Sequence, residues 1–351
     1  MVWDLGDVGV GLMTLFNIFI LFPMSKKAID ALKDYEKKKK PESGALTEKQ
    51  QYIKHRQIIF TVVCLFSLKK IVYNDKKIRG GKLVKIITLM ENTQGEEGCA
   101  FEHGLSLYIE TEKHKILADT GATGAFAENA EKLGVDLSSV DMVVLSHGHY
   151  DHSGGILTFT EKNRHARIYM QQKATGDFYH GERYIGIDRR IPDLPQVEMI
   201  RGDRVLDGEV SLFSNITGRR CFPQSNLVLT RKINGKEQQD TFDHEQCLVI
   251  KEGKEQVLVS GCAHNGILNI LDRYREIYGG MPARVISGFH MMKKTPYTEE
   301  EKSLILETAK ELAEYETVFY TGHCTGDEAF ALMKPVMGEK LVRLRSGVQV
   351  M

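Results

Sequence analysis

The sequence predicts an α/β or α+β domain that follows a separate N-terminal segment. From residue 82 onward, short runs rich in Ile, Leu, Val and Tyr alternate with segments of helical pattern. The 351 residues can bury a full core, and 42% apolar and 27% charged residues are ordinary for a globular protein. The break at Arg79-Gly80-Gly81 divides the chain into an appendage, residues 1–81, and a main domain, residues 82–351.

The expected elements follow in chain order. In the first half, the pattern predicts strands at Val84–Glu91, Leu105–Glu112, His114–Ala118, Met142–Ser146 and Arg167–Gln171, and helices at Ala125–Leu133 and Gly155–Lys162. Gly134 is a helix stop, and Ala174–Arg220 reads as loops with short strands. In the second half, it predicts a hairpin of Cys247–Lys251 and Gln256–Ser260 around Glu252-Gly253-Lys254, then helix Ile267–Ile277, strand Arg284–Ser287, helix Glu299–Glu316, strand Val318–Tyr320 and helix Asp327–Met337.

Four potential metal ligands lie within six residues, directly after the strand that ends near Ser146. They are His147, His149, Asp151 and His152, and a glycine pair follows them. Three imidazoles and a carboxylate suit a borderline divalent cation such as Zn²⁺. On an extended segment His147 and His149 point to the same side and can share one metal, while Asp151 and His152 face a second position. One short segment can therefore begin two adjacent metal sites, which hold one or two divalent ions.

The His-x-His-x-Asp-His run resembles the signature of the metallo-β-lactamase fold superfamily. Further matching motifs follow the same order along the chain: Glu102-His103-Gly104-Leu105-Ser106, Asp119-Thr120-Gly121, Ser260-Gly261-Cys262-Ala263-His264, Ser287-Gly288-Phe289-His290 and Gly322-His323-Cys324-Thr325-Gly326. The set is similar to the subgroup of archaeal dihydropterin ribofuranosylaminobenzene phosphate synthases. The resemblance implies an αββα sandwich with its ligand loops along one edge.

The resemblance also implies roles for residues outside the first run. His264 would complete the first metal site and His323 the second. Asp119 would orient a ligand histidine, and Asp151 would hold and orient the attacking hydroxide. His290 is a candidate proton donor to the leaving group, although substrate contact or metal binding is also open.

Other positions are weaker candidates. Cys262 stands where many members place a bridging Asp, so it is either a metal ligand or a buried thiol. Thr325 and Gly326, at the start of the last helix, are candidates for binding an anionic substrate group. Glu102 and His103 are candidates for the pocket rim. The usual Pro-Gly-His motif is not evident, which leaves the number of metal ions open.

The N-terminal appendage has its own composition. Val8–Met24 carries no charge and is a candidate for membrane contact, and Met1–Lys37 resembles the C-terminal end of sodium–amino-acid symporters of the alanine/glycine type. Residues 25–82 hold 16 Lys/Arg against 6 Asp/Glu. The six cysteines form no Cys-x-x-Cys pair, which favours a reducing cytoplasm for the catalytic part, and that part shows no basic patch for nucleic acid.

The leading hypothesis from the sequence is a metal-dependent hydrolase, with zinc as the expected metal. A metal-activated hydroxide would attack a small ester-type substrate, for which a phosphorylated compound is a candidate. The first alternative is a transferase related to methanopterin-precursor synthesis, which would join a pterin-methyl diphosphate to a ribofuranosylaminobenzene phosphate. The second is a metal-binding sensor without catalysis. Oligomeric state is left open.

Overall fold

Two β-sheets carry the fold of residues 84–351, which are the residues that the computed structural model describes. The first sheet has the order β1-β2-β3-β4-β5-β8 and the second β17-β16-β15-β14-β13-β10-β9. The strands of the first sheet are β1 Lys85–Met90, β2 Ser106–Glu110, β3 Lys115–Ala118, β4 Met142–Val144, β5 Arg167–Gln171 and β8 Val197–Ile200. Those of the second are β9 Arg204–Val205, β10 Val210–Phe213, β13 Cys247–Glu252, β14 Glu255–Val259, β15 Arg284–Ile286, β16 Val318–Thr321 and β17 Leu341–Arg343.

The two sheets face each other, and helices cover their outer faces. The helices are α1 Ala125–Lys132, α2 Tyr150–Ser153, α3 Ile156–Lys162, α4 Ile267–Tyr278, α5 Glu299–Glu314 and α6 Asp327–Met337. One buried apolar cluster joins both sheets, for example Leu107 with Leu248. A second packs the first sheet on α1 and α3, and a third packs the other sheet on α4, α5 and α6. This is the layered α/β fold that the sequence predicted.

The direction of the strands determines where a site can form. β3, β4, β5 and β8 are parallel in one sheet, and β14, β15, β16 and β17 are parallel in the other. The loops that follow β3, β4, β14, β15 and β16 begin with the motifs that carry the candidate site residues. In open α/β sheets the carboxyl ends of parallel strands form the usual binding edge.

A small third sheet was not predicted as a unit, although short strands were expected within Ala174–Arg220, where two of its four strands lie. It has the order β12-β11-β6-β7, with β6 Asp177–His180, β7 Arg183–Tyr184, β11 Leu229–Ile233 and β12 Lys236–Gln239. Its strands are short and rich in polar residues, so they lack the apolar runs by which strands are recognised. β17 was missed because it has only three residues. The predicted hairpin is present between β13 and β14, and Gly253 takes a φ of 60° there.

Several predictions concern residues outside the described range. The appendage of residues 1–81, its apolar run 8–24 and the boundary at residue 81 all lie there and stay predictions. Within residues 84–351, no helix has the length and hydropathy to cross a bilayer. The five cysteines in this range are free thiols.

Asn129 provides a test of how the first helix is fixed. Its amide is fully buried, donates to the carbonyl oxygens of Leu89 (2.7 Å) and Ala100 (2.8 Å), and accepts from the Ala100 N–H (2.8 Å). Asn129→Ala leaves these groups unpaired, so we expect the free energy of unfolding to fall by about 3 kcal/mol. Chemical denaturation measures it. Gln238→Ala, at an exposed position, is the control, and equal stability of the two variants would contradict the expectation.

Candidate metal centre

The loops at one edge of the sandwich bring six candidate ligands together. His147, His149, Asp151 and His152 follow β4, which belongs to the first sheet. His264 follows β14 and His323 follows β16, both in the second sheet. All six side chains are buried. The site is therefore assembled from both sheets.

The first donor group consists of His147, His149 and His264. Their potential ligand atoms lie within 4.8 Å of one another. Nε2 of His147 is 3.2 Å from Nε2 of His264. Nε2 of His149 is buried and has no hydrogen-bond partner, which is costly for a polar atom.

Hydrogen bonds on the far side of two rings fix where the protons are. Ser146 Oγ donates to Asp119 (2.7 Å), so it accepts from Nδ1 of His147 (2.8 Å). Nδ1 of His264 donates to Oδ1 of Asn226 (2.9 Å). In the neutral rings both Nε2 atoms therefore carry lone pairs, and these face each other across 3.2 Å.

The second donor group consists of Asp151, His152 and His323. Nε2 of His152 is 3.2 Å from Nε2 of His323, and Oδ2 of Asp151 is 3.3 Å from the same His323 atom. Nδ1 of His152 donates to Asp119 (2.6 Å), and Nδ1 of His323 donates to Oδ1 of Asn92 (2.8 Å). As in the first group, neutral rings direct unprotonated Nε2 atoms at one another.

Opposed lone pairs at these distances fit bound cations. Two nitrogens bound to one tetrahedral Zn²⁺ at 2.0–2.1 Å lie about 3.4 Å apart, close to the separations in both groups. Two unprotonated nitrogens repel each other unless a proton or a cation lies between them. The donor set of imidazoles with one carboxylate is the one that zinc and neighbouring divalent metals use.

The pKa values are consistent with neutral rings in the first group. Burial and the neighbouring imidazoles lower the pKa of His147 and His264 well below the ordinary value, and lower that of His149 to about 3. Burial also lowers the pKa of His152, but Asp119 and Asp151 outweigh it and raise the pKa. A proton and a cation therefore compete for Nε2 of His152.

Asp151 is ionised in this setting. Burial by itself raises a carboxyl pKa, but His152, His323 and His103 outweigh burial and hold the pKa of Asp151 well below its usual range. Nε2 of His103 is 3.3 Å from Oδ2 of Asp151. The exposed His103 therefore lies beside Asp151, and its role at the pocket rim stays a prediction.

Cys262 lies between the two donor groups. Its Sγ is 3.1 Å from Nε2 of His152 and within 4.8 Å of a ring nitrogen of His147. It also forms a close group with His323 and Cys324. Burial and the Cys324 thiol raise the pKa of Cys262 well above its ordinary value. Cys262, which stands where many superfamily members place a bridging Asp, thus lies between the two donor groups.

His290 packs against the first donor group, with its ring centroid 4.0 Å from that of His264. Ser225 Oγ donates to the His290 carbonyl and so accepts from Nδ1 of the ring (2.8 Å). Burial lowers the pKa of His290 to about 3. The neutral ring therefore accepts at Nε2, and this arrangement favours substrate contact or metal binding over the proton-donor role.

Three residues that were predicted to contact the substrate make hydrogen bonds or close packing contacts within the protein. Glu102 accepts from the N–H groups of Ala122 (2.9 Å) and Thr123 (3.0 Å). The buried Thr325 hydroxyl accepts from the Phe289 N–H (2.9 Å). A Cβ at Gly326 would press on Met292. Their roles toward substrate stay predictions.

Other residues support the centre and were missed in the sequence. Glu245 accepts from the N–H groups of His264 (2.7 Å) and Asn265 (3.0 Å), and burial raises its pKa. Asn226 and Asn92 orient two ligand rings, and Asp240 and His244 lie beside His149. The polar run Asp240–Gln246 directly before β13 was the available signal, because polar residues at a strand end often face a site.

Comparison with known families gives two matches on separate parts of the chain. The Metallo-beta-lactamase superfamily model matches residues 100–217, and the Sodium:alanine symporter family model matches residues 1–50. Both agree with the resemblances seen in the sequence.

Individual relatives cover most of the second part. The chain is 28% identical over 291 residues to a 7,8-dihydropterin-6-methyl-4-(beta-D-ribofuranosyl)-aminobenzene-5'-phosphate synthase of Methanocaldococcus jannaschii, covering 75% of this chain and 95% of that one. It is also 28% identical over 218 residues to the uncharacterized protein MJ0448 of the same organism, covering 60% and 80%. The crystal structure of Tm1679, described as a metal-dependent hydrolase of the beta-lactamase superfamily, aligns with a TM-score of 0.65 at 28% identity, covering 77% of this chain and 99% of that one.

Asp119 tests whether the second donor group depends on its supporting carboxylate. It takes hydrogen bonds from His152 and from the N–H and hydroxyl of Ser146. Asp119→Asn places an amide among these donors, and we expect roughly 10–100-fold weaker metal affinity. Titration of the metal-free protein with Zn²⁺ against a chelator measures it. Asp188→Asn, at an exposed carboxylate, is the control, and wild-type affinity in Asp119→Asn would contradict the expectation.

Proposed function

Because residues 100–217 match the Metallo-beta-lactamase superfamily model, we propose that the protein is a metal-dependent hydrolase of small ester-type substrates, with phosphorylated esters as candidates. The observation that carries the proposal is the pair of opposed Nε2 atoms in each donor group, His147 with His264 and His152 with His323, each 3.2 Å apart. Neutral rings held in this way are suited to divalent cations, of which Zn²⁺ fits the donors best.

The proposed ligands divide into two sets. His147, His149 and His264 would hold one cation, and Asp151, His152 and His323 would hold a second. A divalent cation supplies Lewis acidity, which polarises a carbonyl or phosphoryl oxygen and lowers the pKa of water toward neutrality. The chain holds its donors from two sheets, so their separation is set by the packing of the sandwich.

Asp151 is the proposed residue that handles the proton of the attacking water. Its carboxylate is ionised and its Oδ2 faces His323 and His103 at 3.3 Å each. An ionised oxygen in this position accepts a hydrogen bond from water and orients it toward the substrate. His290 offers an acceptor at Nε2 and is proposed to contact the substrate rather than to protonate the leaving group.

Cys262 is proposed as a further residue that would supply a thiolate to a cation bound in this centre. Its Sγ lies next to ring nitrogens from both sets, those of His147 and His152. Burial keeps the free thiol protonated, so binding of a cation would release a proton. Sulfur also favours softer metals such as zinc over magnesium or calcium.

A spectroscopic experiment tests the thiolate. We expect the Co²⁺-loaded wild-type protein to show an intense sulfur-to-cobalt charge-transfer band in the near ultraviolet, and Cys262→Ser to lose it because no thiolate remains in the centre. Cys99→Ser, which removes a buried thiol in the 92–101 loop, is the control and keeps the band. A band that persists in Cys262→Ser and disappears in Cys324→Ser would assign the ligand to Cys324 instead.

A second experiment tests the hydrolase. We expect Asp151→Ala to lose bound metal and to lower turnover by at least roughly 10³-fold, because it removes both a ligand and the residue that orients water. The assay uses a phosphomonoester, a phosphodiester and a lactone before and after chelation, with metal counted by elemental analysis. Asp193→Ala, at an exposed site, is the control.

The result has three possible outcomes with different meanings. Metal-dependent cleavage of any panel member that is lost in Asp151→Ala supports the hydrolase. Cleavage that survives chelation contradicts it. Stoichiometric metal without turnover of any panel member favours the sensor.

A transferase is the second candidate, and one observation favours it. The similar synthase of M. jannaschii is covered over 95% of its length. A diphosphate leaving group could use the same two cations as an ester. Incubation of the metal-loaded protein with a pterin-methyl diphosphate and a ribofuranosylaminobenzene phosphate distinguishes the two: a condensed product identifies a transferase, and a free pterin alcohol identifies a hydrolase.

A further inference from the structure

Gly148 lies between two proposed ligands, His147 and His149, and its N–H is bound by a residue from another part of the chain. It donates to Nδ1 of His244 over 3.0 Å, and the His244 side chain is fully buried. His244 precedes β13 in the second sheet, whereas Gly148 follows β4 in the first. The hydrogen bond therefore ties the ligand loop of one sheet to the other sheet.

The partners of His244 determine its tautomer. A backbone N–H can only donate, so Nδ1 of His244 must accept and the ring proton must be on Nε2. Nε2 donates to Oδ2 of Asp240 (3.1 Å), whose other oxygen accepts from the Phe242 N–H (2.9 Å). Asp240 is buried, and its carboxylate is fixed at both oxygens. The chain Asp240–His244–Gly148 thus has one proton arrangement.

This arrangement disfavours a third metal site beside His149. Asp240, His244 and His149 have potential ligand atoms within 4.8 Å of one another, which by itself suggests such a site. Both nitrogens of His244 are already engaged in hydrogen bonds, however, and a cation would displace the Gly148 or the Asp240 contact. The geometry points to a support for the ligand loop instead.

The same loop is confined on its other side. A Cβ at position 148 would overlap the carbonyl oxygen of Ala174 and lie 2.7 Å from Phe178. The Phe178 ring packs against His244, with centroids 4.1 Å apart, and against His149, with centroids 5.6 Å apart. The main chain at Gly148 is therefore held by the hydrogen bond to His244 on one side and by contacts with Ala174 and Phe178 on the other. Both restrict movement of the two flanking histidines.

We propose that His244 and Asp240 are positioning residues that set the metal affinity of the first donor group by fixing the main chain at Gly148. In this role they act through the main chain and not as ligands of the cation. The inference rests on the proposed function in one respect, namely that His147 and His149 bind a metal. Asp240 keeps the ring in the tautomer that accepts from Gly148, and the ring holds the loop at the spacing that the two ligands need.

Three variants separate the steps of this chain. His244→Leu removes the acceptor for Gly148, and we expect roughly 10–100-fold weaker binding of Zn²⁺ to the first group. His244→Asn keeps an acceptor oxygen near the position of Nδ1, so we expect it to recover most of the affinity. Asp240→Asn keeps an acceptor for Nε2 but loses the charge, and we expect an intermediate loss.

The measurement is Zn²⁺ affinity of the metal-free protein by chelator competition, together with the visible spectrum of the Co²⁺ form. His114→Leu is the matched control, because His114 is likewise paired with carboxylates, those of Asp141 and Asp207, but lies directly before β3, away from the ligand loops. Thermal unfolding of each metal-free variant identifies any general loss of stability.

Each result decides the matter. Affinity that falls in His244→Leu, is recovered in His244→Asn and is unchanged in His114→Leu supports the inference. Equal affinity in wild type and a folded His244→Leu overturns it, as does equal weakening in His244→Leu and His244→Asn. A wild-type protein that binds no metal at all would instead overturn the proposed function.

Discussion

The site depends on unprotonated imidazole nitrogens that are held facing one another. Each ring is turned by a partner at Nδ1: Ser146 for His147, Asn226 for His264, Asp119 for His152 and Asn92 for His323. These partners hold the Nδ1 protons on the outer side, so the inner Nε2 atoms of the neutral rings carry lone pairs. Such an arrangement is unfavourable on its own and becomes favourable around a cation, which is why the surrounding hydrogen bonds matter as much as the ligands.

The ligands also connect the two halves of the sandwich. His147 and His152 belong to the loop after one sheet, and His264 and His323 to loops of the other. Hydrogen bonds also connect the sheets. The side-chain amide of Gln246 donates to the Leu145 carbonyl (2.8 Å), and its backbone N–H donates to the Ser146 carbonyl (2.8 Å). The ligand spacing is therefore a property of how the sheets pack, and any cation bound there would hold the sheets together in return.

The same donors would suit more than one reaction. Hydrolysis and displacement of diphosphate both need a polarised oxygen and a stabilised negative charge, so the centre by itself does not separate a hydrolase from a transferase. The two reactions differ in the nucleophile, which is water in a hydrolase and a second substrate in a transferase. Cys262 is a further variable, because a thiolate next to His147 and His152 would change both the charge of the centre and the metals that it selects.

The sequence by itself determined the fold class, most strand and helix positions, and the local cluster His147–His152, because periodicity and ligand spacing are short-range properties. It also placed His264 and His323 through motif resemblance. Only the tertiary structure decided the central position of Cys262, the tautomer of His290 and the supports from Asn92, Asn226 and the Asp240–Glu245 segment. Those depend on contacts between residues up to 231 positions apart, and nothing in a local pattern of residues encodes which distant side chain will accept a given proton.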